Sequence, residues 1–222
     1  QKGQLGNSEP AGVAVSDNGT VFVSDASVGR VYKYDYRGGQ LGYLSMPSSG
    51  DLPGKMALDG AGNLYVAVRS EGKIVVFDPA GQVKREIIGP EHGGMGPCCD
   101  VAVDADGKVY ALSLTGTAVH VFDKQGKCVR SFGGHDAGKT GFARPSGIDI
   151  DTQGRLWITD LVNQTLKVFS PSGGYLGVFG GFGTEPGDFF SPADVCVDRA
   201  KARLYVVEKS GQRLQAFEIV ER

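Results

Sequence analysis

The chain contains few of the residues that build disulfide frameworks, metal clusters or membrane spans. Its 222 residues include four cysteines and three histidines, and no apolar run approaches the roughly 18 residues of a membrane helix. The 23 Lys and Arg against 25 Asp and Glu give a formal net charge of −2, which argues against a general binder of nucleic acids or anionic membranes. No segment keeps a helical period of apolar residues. The sequence therefore predicts no membrane insertion, and nucleic acid is not the expected partner.

Glycine, by contrast, is abundant, at 35 of 222 residues, which is roughly twice its usual share. Glycine at this level without a collagen period is typical of frequent turns, so it predicts many short strands. The chain begins with Gln1 and carries no basic-then-apolar signal segment. We therefore expect a processed chain or a fragment.

A repeat of about 45 residues runs through the chain. Each unit starts at a proline before a short apolar strand, and it carries one aromatic in its second strand and another in its third. The prolines, spaced by 43, 44, 48 and 47 residues, are Pro10, Pro53, Pro97, Pro145 and Pro192. The second-strand aromatics are Phe22, Tyr65, Tyr110, Trp157 and Tyr205, and the third-strand aromatics are Tyr34, Phe77, Phe122, Phe169 and Phe217. Both aromatic series step by 43, 45, 47 and 48 residues, which indicates a true repeat.

Four short antiparallel strands in each unit are typical of a propeller blade. We therefore predict an all-β fold, a β-propeller of four-stranded antiparallel blades, in a single domain over residues 1–222. Its five repeats cover approximately 10–46, 53–89, 97–133, 145–180 and 192–222. The fifth repeat ends after its third strand, so it is expected to lack an outer strand.

One stretch carries a family resemblance. The residues Pro-Ser-Gly-Ile-Asp-Ile-Asp at 145–151, Leu-Trp-Ile-Thr-Asp-Leu-Val-Asn at 156–163 and Leu-Lys-Val-Phe at 166–169 resemble one NHL repeat. The unit from Pro10 to Tyr34 is similar. The resemblance implies an NHL-type β-propeller, usually with six blades, so we expect one strand or about one blade to precede Gln1. It also implies export to the periplasm or the extracellular space, as for simple bacterial NHL proteins.

The residues just before the inner strands are candidates for a binding site. Lys55, Asp100 and Asp194 occupy this position and are expected at one mouth of the central channel, where they would bind a cation or a polar ligand. Asp149 lies on an inner strand where the other repeats carry small apolar residues. The alternative for the three aspartates is that they accept backbone hydrogen bonds.

Loops on the same rim carry charges of both signs. Arg69 and Arg144 are its candidate binding residues, but Glu71 and Asp160 offset them. A strongly basic rim would indicate RNA binding, so RNA is the weaker alternative here.

Two kinds of propeller enzyme resemble this fold, the gluconolactonase-type lactonases and the peptide-amidating zinc lyases. The resemblance implies metal ligands in the residue or two after each inner-strand proline. Here the residues after the prolines are Ala11, Gly54, Cys98, Ser146 and Ala193. One possible ligand in five positions does not supply the several ligands that a metal site needs. We therefore predict no catalytic residues, no cofactor and no metal.

If a metal does bind, the candidates are the loop residues His92 and His135 together with Asp100 and Asp194. The four cysteines are expected to be buried free thiols, with Cys98-Cys99 as the unusual pair. The loop over residues 180–191 contains Phe182, Phe189 and Phe190, which are expected to pack at a blade junction or to form an exposed contact.

The function predicted from these observations is a non-enzymatic scaffold that binds a protein partner, or a small-molecule ligand, through its loop rim and channel mouth. The alternative is a metal-dependent hydrolase or lyase with Asp100, Asp149 and Asp194, or the two loop histidines, as ligands. No Ser, His and Asp group with the spacing of a nucleophile elbow is present.

Overall fold

The computed structural model describes residues 8–90, 95–134 and 138–220, and within them the chain forms nineteen strands and no helix. Blade 1 comprises β1 (Pro10–Val15), β2 (Val21–Asp25), β3 (Arg30–Tyr34) and β4 (Gln40–Ser45). Blade 2 comprises β5 (Pro53–Leu58), β6 (Leu64–Val68), β7 (Lys73–Phe77) and β8 (Val83–Ile88). Blade 3 comprises β9 (Cys98–Val103), β10 (Val109–Ser113), β11 (Val119–Phe122) and β12 (Cys128–Phe132). Blade 4 comprises β13 (Pro145–Ile150), β14 (Leu156–Asp160), β15 (Thr165–Phe169) and β16 (Tyr175–Phe179), and blade 5 comprises β17 (Pro192–Asp198), β18 (Arg203–Glu208) and β19 (Arg213–Glu218).

The strands of each blade pair antiparallel in chain order, which gives four four-stranded sheets and one three-stranded sheet. The inner strands β1, β5, β9, β13 and β17 lie side by side around the axis. This arrangement confirms the predicted all-β propeller, and the fifth sheet lacks an outer strand among the described residues. No helix in that part of the chain is long and apolar enough to cross a membrane.

A repeated turn between the first two strands of a blade sets their register. In blade 3, the Asp104 carboxylate accepts hydrogen bonds from the backbone N–H groups of Asp106 at 3.0 Å and Lys108 at 2.9 Å. Gly107 completes the turn at φ 79°, which favours glycine. The Tyr110 hydroxyl donates to the second Asp104 oxygen at 3.2 Å. The aromatic at this fixed place of the repeat therefore ties the second strand to the preceding turn.

The core consists of four apolar clusters, one in each contact between successive blades. Between blades 2 and 3, Ile74 and Val76 pack with Val101 and Phe122. Each inner blade buries both faces in this way, which a lone sheet cannot do.

Blades 1 and 5, which we call the end blades, each keep one face outside these clusters. Val13 on β1 is 63% exposed, and Leu214 on β19 is 61% exposed. The opposite faces of the same blades are packed, with Phe22 against the cluster with blade 2 and Val206 in the cluster with blade 4. The alternation of exposed and covered residues along β19 therefore reflects a sheet that has one neighbouring blade among the described residues.

Candidate functional site

The inner strands bring Lys55, Asp100 and Asp194 together at the axis, as their repeat position predicts. The Lys55 ammonium lies 2.7 Å from Asp194 Oδ1 and 3.8 Å from Asp100 Oδ2. It donates hydrogen bonds to the carbonyl oxygens of Ser146 at 2.6 Å and Ala193 at 2.9 Å. We call these five residues the hub cluster. Lysine from blade 2 thus contacts oxygens of blades 3, 4 and 5 at one point.

Charge pairing decides the protonation of the hub cluster. Burial lowers the pKa of Lys55, but the carboxylates of Asp194 and Asp100 outweigh that effect and leave the pKa above its ordinary value. Burial raises the pKa of Asp100 to about 8, and the nearby Lys55 charge offsets this only in part. The ammonium is therefore held charged, whereas the buried carboxyl is a weak acid.

Asp100 and Asp149 also join neighbouring blades through the backbone. Asp100 Oδ2 accepts from the N–H of Ile148 at 2.9 Å. On the next inner strand, two positions further along the repeat than Asp100, Asp149 Oδ2 accepts from the N–H of Val197 at 2.7 Å. Arg199 adds an ion pair to Asp149 at 3.2 Å. Burial raises the pKa of Asp149, against the effect of these hydrogen bonds. The geometry agrees with the predicted alternative, in which the aspartates accept backbone hydrogen bonds.

A glycine leaves the room that the hub cluster needs. A Cβ atom added to Gly147 would lie 2.5 Å from Asp194 Oδ1 and 3.0 Å from Thr159 Oγ1. Any larger residue at this position would push the Asp194 carboxylate away from Lys55. The small residue within the blade 4 inner strand is therefore matched to the carboxylate of blade 5.

The two rim arginines do not join the hub cluster. Arg69 pairs with Glu9 at 3.1 Å, and both side chains are largely exposed. Arg144 is exposed, and its backbone N–H donates to Asp160 Oδ1 at 3.0 Å. The predicted set of six binding residues is thus divided, with four of them in or beside the axis and two on the surface of the rim.

The candidate metal ligands are not assembled in the described part of the chain. His92 and His135 lie outside the described residues, and Asp100 and Asp194 face Lys55. Across residues 8–90, 95–134 and 138–220, no group of three or more His, Cys, Asp and Glu residues has the geometry to hold a metal ion.

The four cysteines are free, as predicted. Cys98 is buried, Cys99 and Cys128 are partly buried, and Cys196 is exposed. Burial raises the pKa of Cys99 to about 12. Partial desolvation of the sulfur, together with the nearby charges of Asp149 and Asp194, raises the pKa of the exposed Cys196 to about 11. These thiols are therefore poor nucleophiles. The expectation that all four are buried is confirmed only for Cys98; Cys99 and Cys128 are half-buried, and for Cys196, on the inner strand of blade 5, the expectation is wrong.

The loop over residues 180–191 presents aromatic side chains in two different ways. Phe189 is fully buried, which confirms packing for this residue. Phe182 is 73% exposed, and its ring meets that of Phe190 edge to face at 5.4 Å. We call Phe182 and Phe190 the rim pair. Aromatic composition alone did not indicate which rings face outward.

Side chains of blade 5 hold this loop in place. Arg213 Nη2 and Gln215 Nε2 donate to the Asp188 carbonyl at 2.9 and 2.7 Å. The N–H of Gly187 donates to Gln215 Oε1 at 3.0 Å. The loop enters β17 at the end of the blade where Asp194 lies, so the rim pair and the hub cluster share one rim.

Comparison with known protein families supports the propeller in two parts of the chain. Residues 4–100 match the family model described as the SMP-30/Gluconolactonase/LRE-like region. Residues 151–221 match a family model described as a 6-bladed beta-propeller. Each match covers less than half of the chain, and both agree with the sheets described above.

Individual relatives are more distant. The chain is 32% identical to the mouse E3 ubiquitin-protein ligase TRIM56 over 73 residues, which are 33% of this chain and 10% of that protein. The chain thus spans about a tenth of the curated relatives that it matches.

Among solved structures, virginiamycin B lyase from Staphylococcus aureus aligns with a TM-score of 0.67 and 16% identity, over 96% of this chain and 71% of the lyase. A protein of unknown function from Bacteroides caccae aligns with a TM-score of 0.69 and 14% identity, over 96% of this chain and 79% of that chain. At these identities the likeness shows the fold alone.

Proposed function

We propose that the propeller is a non-enzymatic scaffold of NHL type that binds a protein partner through the rim around the hub cluster. The observation that carries this proposal is the internal pairing at the axis. The ammonium of Lys55 is bound by Asp194 and by two backbone carbonyls. A catalytic site needs a charged group or a metal that is free to meet the substrate, whereas these groups bind one another.

The rim pair supplies the apolar contact that such a scaffold requires. Aromatic residues are enriched in the centres of protein interfaces and often dominate their binding energy. Phe182 and Phe190 stand on a loop that Arg213 and Gln215 fix through hydrogen bonds to Asp188. Because the loop is held before binding, ordering it costs a partner little free energy.

The NHL assignment rests on the repeat motif around residues 145–169, and the short match to TRIM56 is in keeping with it. Export to the periplasm or the extracellular space stays a proposal, and it predicts that the partner is an extracytoplasmic protein.

A quantitative capture experiment tests the scaffold function. The immobilised chain would be compared with a Phe182→Ser/Phe190→Ser variant and with a control variant, Leu176→Ser/Val178→Ser. The control removes two apolar side chains of blade 4 that are 55% and 53% exposed but lie on its outer strand. We expect a protein that the wild type and the control retain equally and that the rim-pair variant loses by at least about tenfold, which is about 1.4 kcal/mol of binding free energy. Equal retention by all three variants would contradict docking at the rim pair.

The second candidate is a metal-dependent hydrolase or lyase, and the match of residues 4–100 to the gluconolactonase-like family model favours it. In this reading Asp100, Asp149 and Asp194 would supply oxygen ligands. Elemental analysis of the purified chain with a panel of lactones separates the two candidates. A stoichiometric metal that Asp100→Asn releases, with turnover that follows the metal, would support the enzyme. A metal-free chain without turnover would exclude it.

A further inference from the structure

The hub cluster has the composition of a cation site. The Lys55 ammonium has three protons to donate, and three oxygens lie within 2.9 Å of it, on Asp194, Ser146 and Ala193. Asp100 Oδ2 lies at 3.8 Å as a fourth oxygen. Two backbone carbonyls and two carboxylates are the donor types that hard cations such as Ca²⁺ prefer.

The surroundings favour a positive charge at this point. The side chain of Asp100 is 6% exposed, and that of Asp194 is 41% exposed. A positive charge at this point offsets the negative charge of Asp194. It also favours ionisation of the buried Asp100 carboxyl, whose charged form is costly without a counter-charge. Gly147 provides the space in which the Asp194 carboxylate reaches Lys55. The carbonyl oxygens of Ser146 and Ala193 lie on neighbouring inner strands, and with Asp100 and Asp194 the oxygens around the ammonium come from blades 3, 4 and 5.

We propose that the hub cluster is a cation-binding site whose resident cation is the ammonium group of Lys55. The lysine links blade 2 to blades 4 and 5, so the intact chain needs no metal at its axis. Truncation of Lys55 should therefore open the site to a free cation that prefers carboxylate and carbonyl oxygens, such as Ca²⁺. Calcium–oxygen distances are about 2.3–2.6 Å, so the three acceptors now at 2.6–2.9 Å would have to close by a few tenths of an ångström, and Asp100 Oδ2, now at 3.8 Å, by about 1 Å or more.

Calcium titration of Lys55→Ala tests the proposal. Calorimetry on the wild type should show no saturable Ca²⁺ binding at the hub, whereas Lys55→Ala should bind one ion. The variant should melt at a lower temperature than the wild type in the absence of Ca²⁺, and its Tm should rise as CaCl₂ is added. Adding Asp194→Asn to Lys55→Ala should abolish both effects. The control Arg69→Ala removes another cation of the same rim, which is exposed and paired only with Glu9 among the described residues, and it should gain no calcium binding.

Two outcomes would overturn the proposal: saturable Ca²⁺ binding at the hub of the wild type, or a folded Lys55→Ala that binds no ion. Should this variant fail to fold, NMR of the wild type labelled with ¹⁵N in its lysine side chains decides. The Lys55 ammonium protons should exchange slowly with water and remain visible, in contrast to exposed lysines. Rapid exchange would overturn the assignment. Neither result bears on binding at the rim pair, so this test and that of the scaffold function fail independently.

Discussion

Inner and end blades share one repeat but differ in what covers them. In blade 2, every residue of β6 and β7 is buried, whereas β19 of blade 5 alternates between exposed and partly covered residues. Apolar side chains occur at the open positions too, for example Val13 and Leu214. The apolar pattern of a strand therefore specifies a blade, but a neighbouring blade must supply the burial.

The hydrogen bonds that tie a strand to its preceding turn also differ between the inner blades and the end blades. In each of blades 2, 3 and 4, the aromatic of the second strand donates a hydrogen bond to the aspartate of the turn before that strand. The pairs are Tyr65 with Asp59, Tyr110 with Asp104 and Trp157 with Asp151. Blade 1 has Phe22, which has no hydroxyl. In blade 5 no bond from the Tyr205 hydroxyl to Asp198 is found among the described residues. A buried hydroxyl needs a partner, whereas an open one has water.

The largest expected effect comes from removing a third-strand aromatic of an inner blade. Phe122 is fully buried between blades 2 and 3, so Phe122→Ala should lower the free energy of unfolding by about 3–5 kcal/mol. Phe217 holds the same repeat position in blade 5 and is only partly buried. Phe217→Ala should therefore cost less, about 1–2 kcal/mol. Urea unfolding of both variants measures the difference, and an unchanged m value checks that the denatured states are comparable. Equal losses would break the distinction between inner and end blades.

The junction between blades 4 and 5 should depend on Asp149. Asp149→Ala removes the acceptor of the Val197 N–H and leaves that buried donor unpaired, at a cost of about 1–3 kcal/mol. Hydrogen exchange at the Val197 amide should accelerate, while exchange at the Ile148 amide, which is bound to Asp100, should change far less. Asp149→Asn is the matched control, because its carbonyl oxygen can still accept one bond. An Asp149→Ala variant with unchanged exchange at Val197 would show that packing alone holds blade 5.

Asp100 is expected to make the free energy of unfolding fall as the pH rises. Its pKa rises from 3.8 to about 8 on folding, so between these values the folded state keeps a proton that the unfolded state has released. Its contribution to stability is fully present below pH 3.8 and is lost as the pH rises through about 8. From pH 6 to pH 7, the free energy of unfolding should fall by up to about 1.4 kcal/mol relative to Asp100→Asn. Parallel pH profiles for the two proteins would contradict this assignment.

Much of the fold was predictable because its determinants are local and repeated. The aspartate–glycine turns and the spaced aromatics act within one blade, as Asp104, Gly107 and Tyr110 do. The contacts of Lys55 were not predictable, because its acceptors Ser146 and Ala193 lie 91 and 138 residues away. A repeat places the residue at the axis but does not choose the direction of a long, flexible side chain. The exposure of Phe182 was likewise set by a loop outside the repeat pattern.

The smallest expected effect comes from removing the hydroxyl of a second-strand tyrosine, which separates its hydrogen bond from the burial of its ring. Tyr110→Phe removes one hydroxyl and leaves the ring in place, so the loss of its bond to Asp104 should cost about 0.5–1.5 kcal/mol. Tyr205→Phe makes the same chemical change in blade 5, where the hydroxyl has no bond to Asp198, and its effect should stay within about 0.5 kcal/mol. Thermal and urea unfolding of the two variants, with Tyr110→Phe/Asp104→Ala to close a double-mutant cycle, measures the coupling directly. If Tyr205→Phe costs as much as Tyr110→Phe, the hydroxyl stabilises every blade alike and the turn bond does not account for the difference. A loss confined to Tyr110 would mean that the second-strand aromatic works as an anchor only where two neighbouring blades exclude water from it.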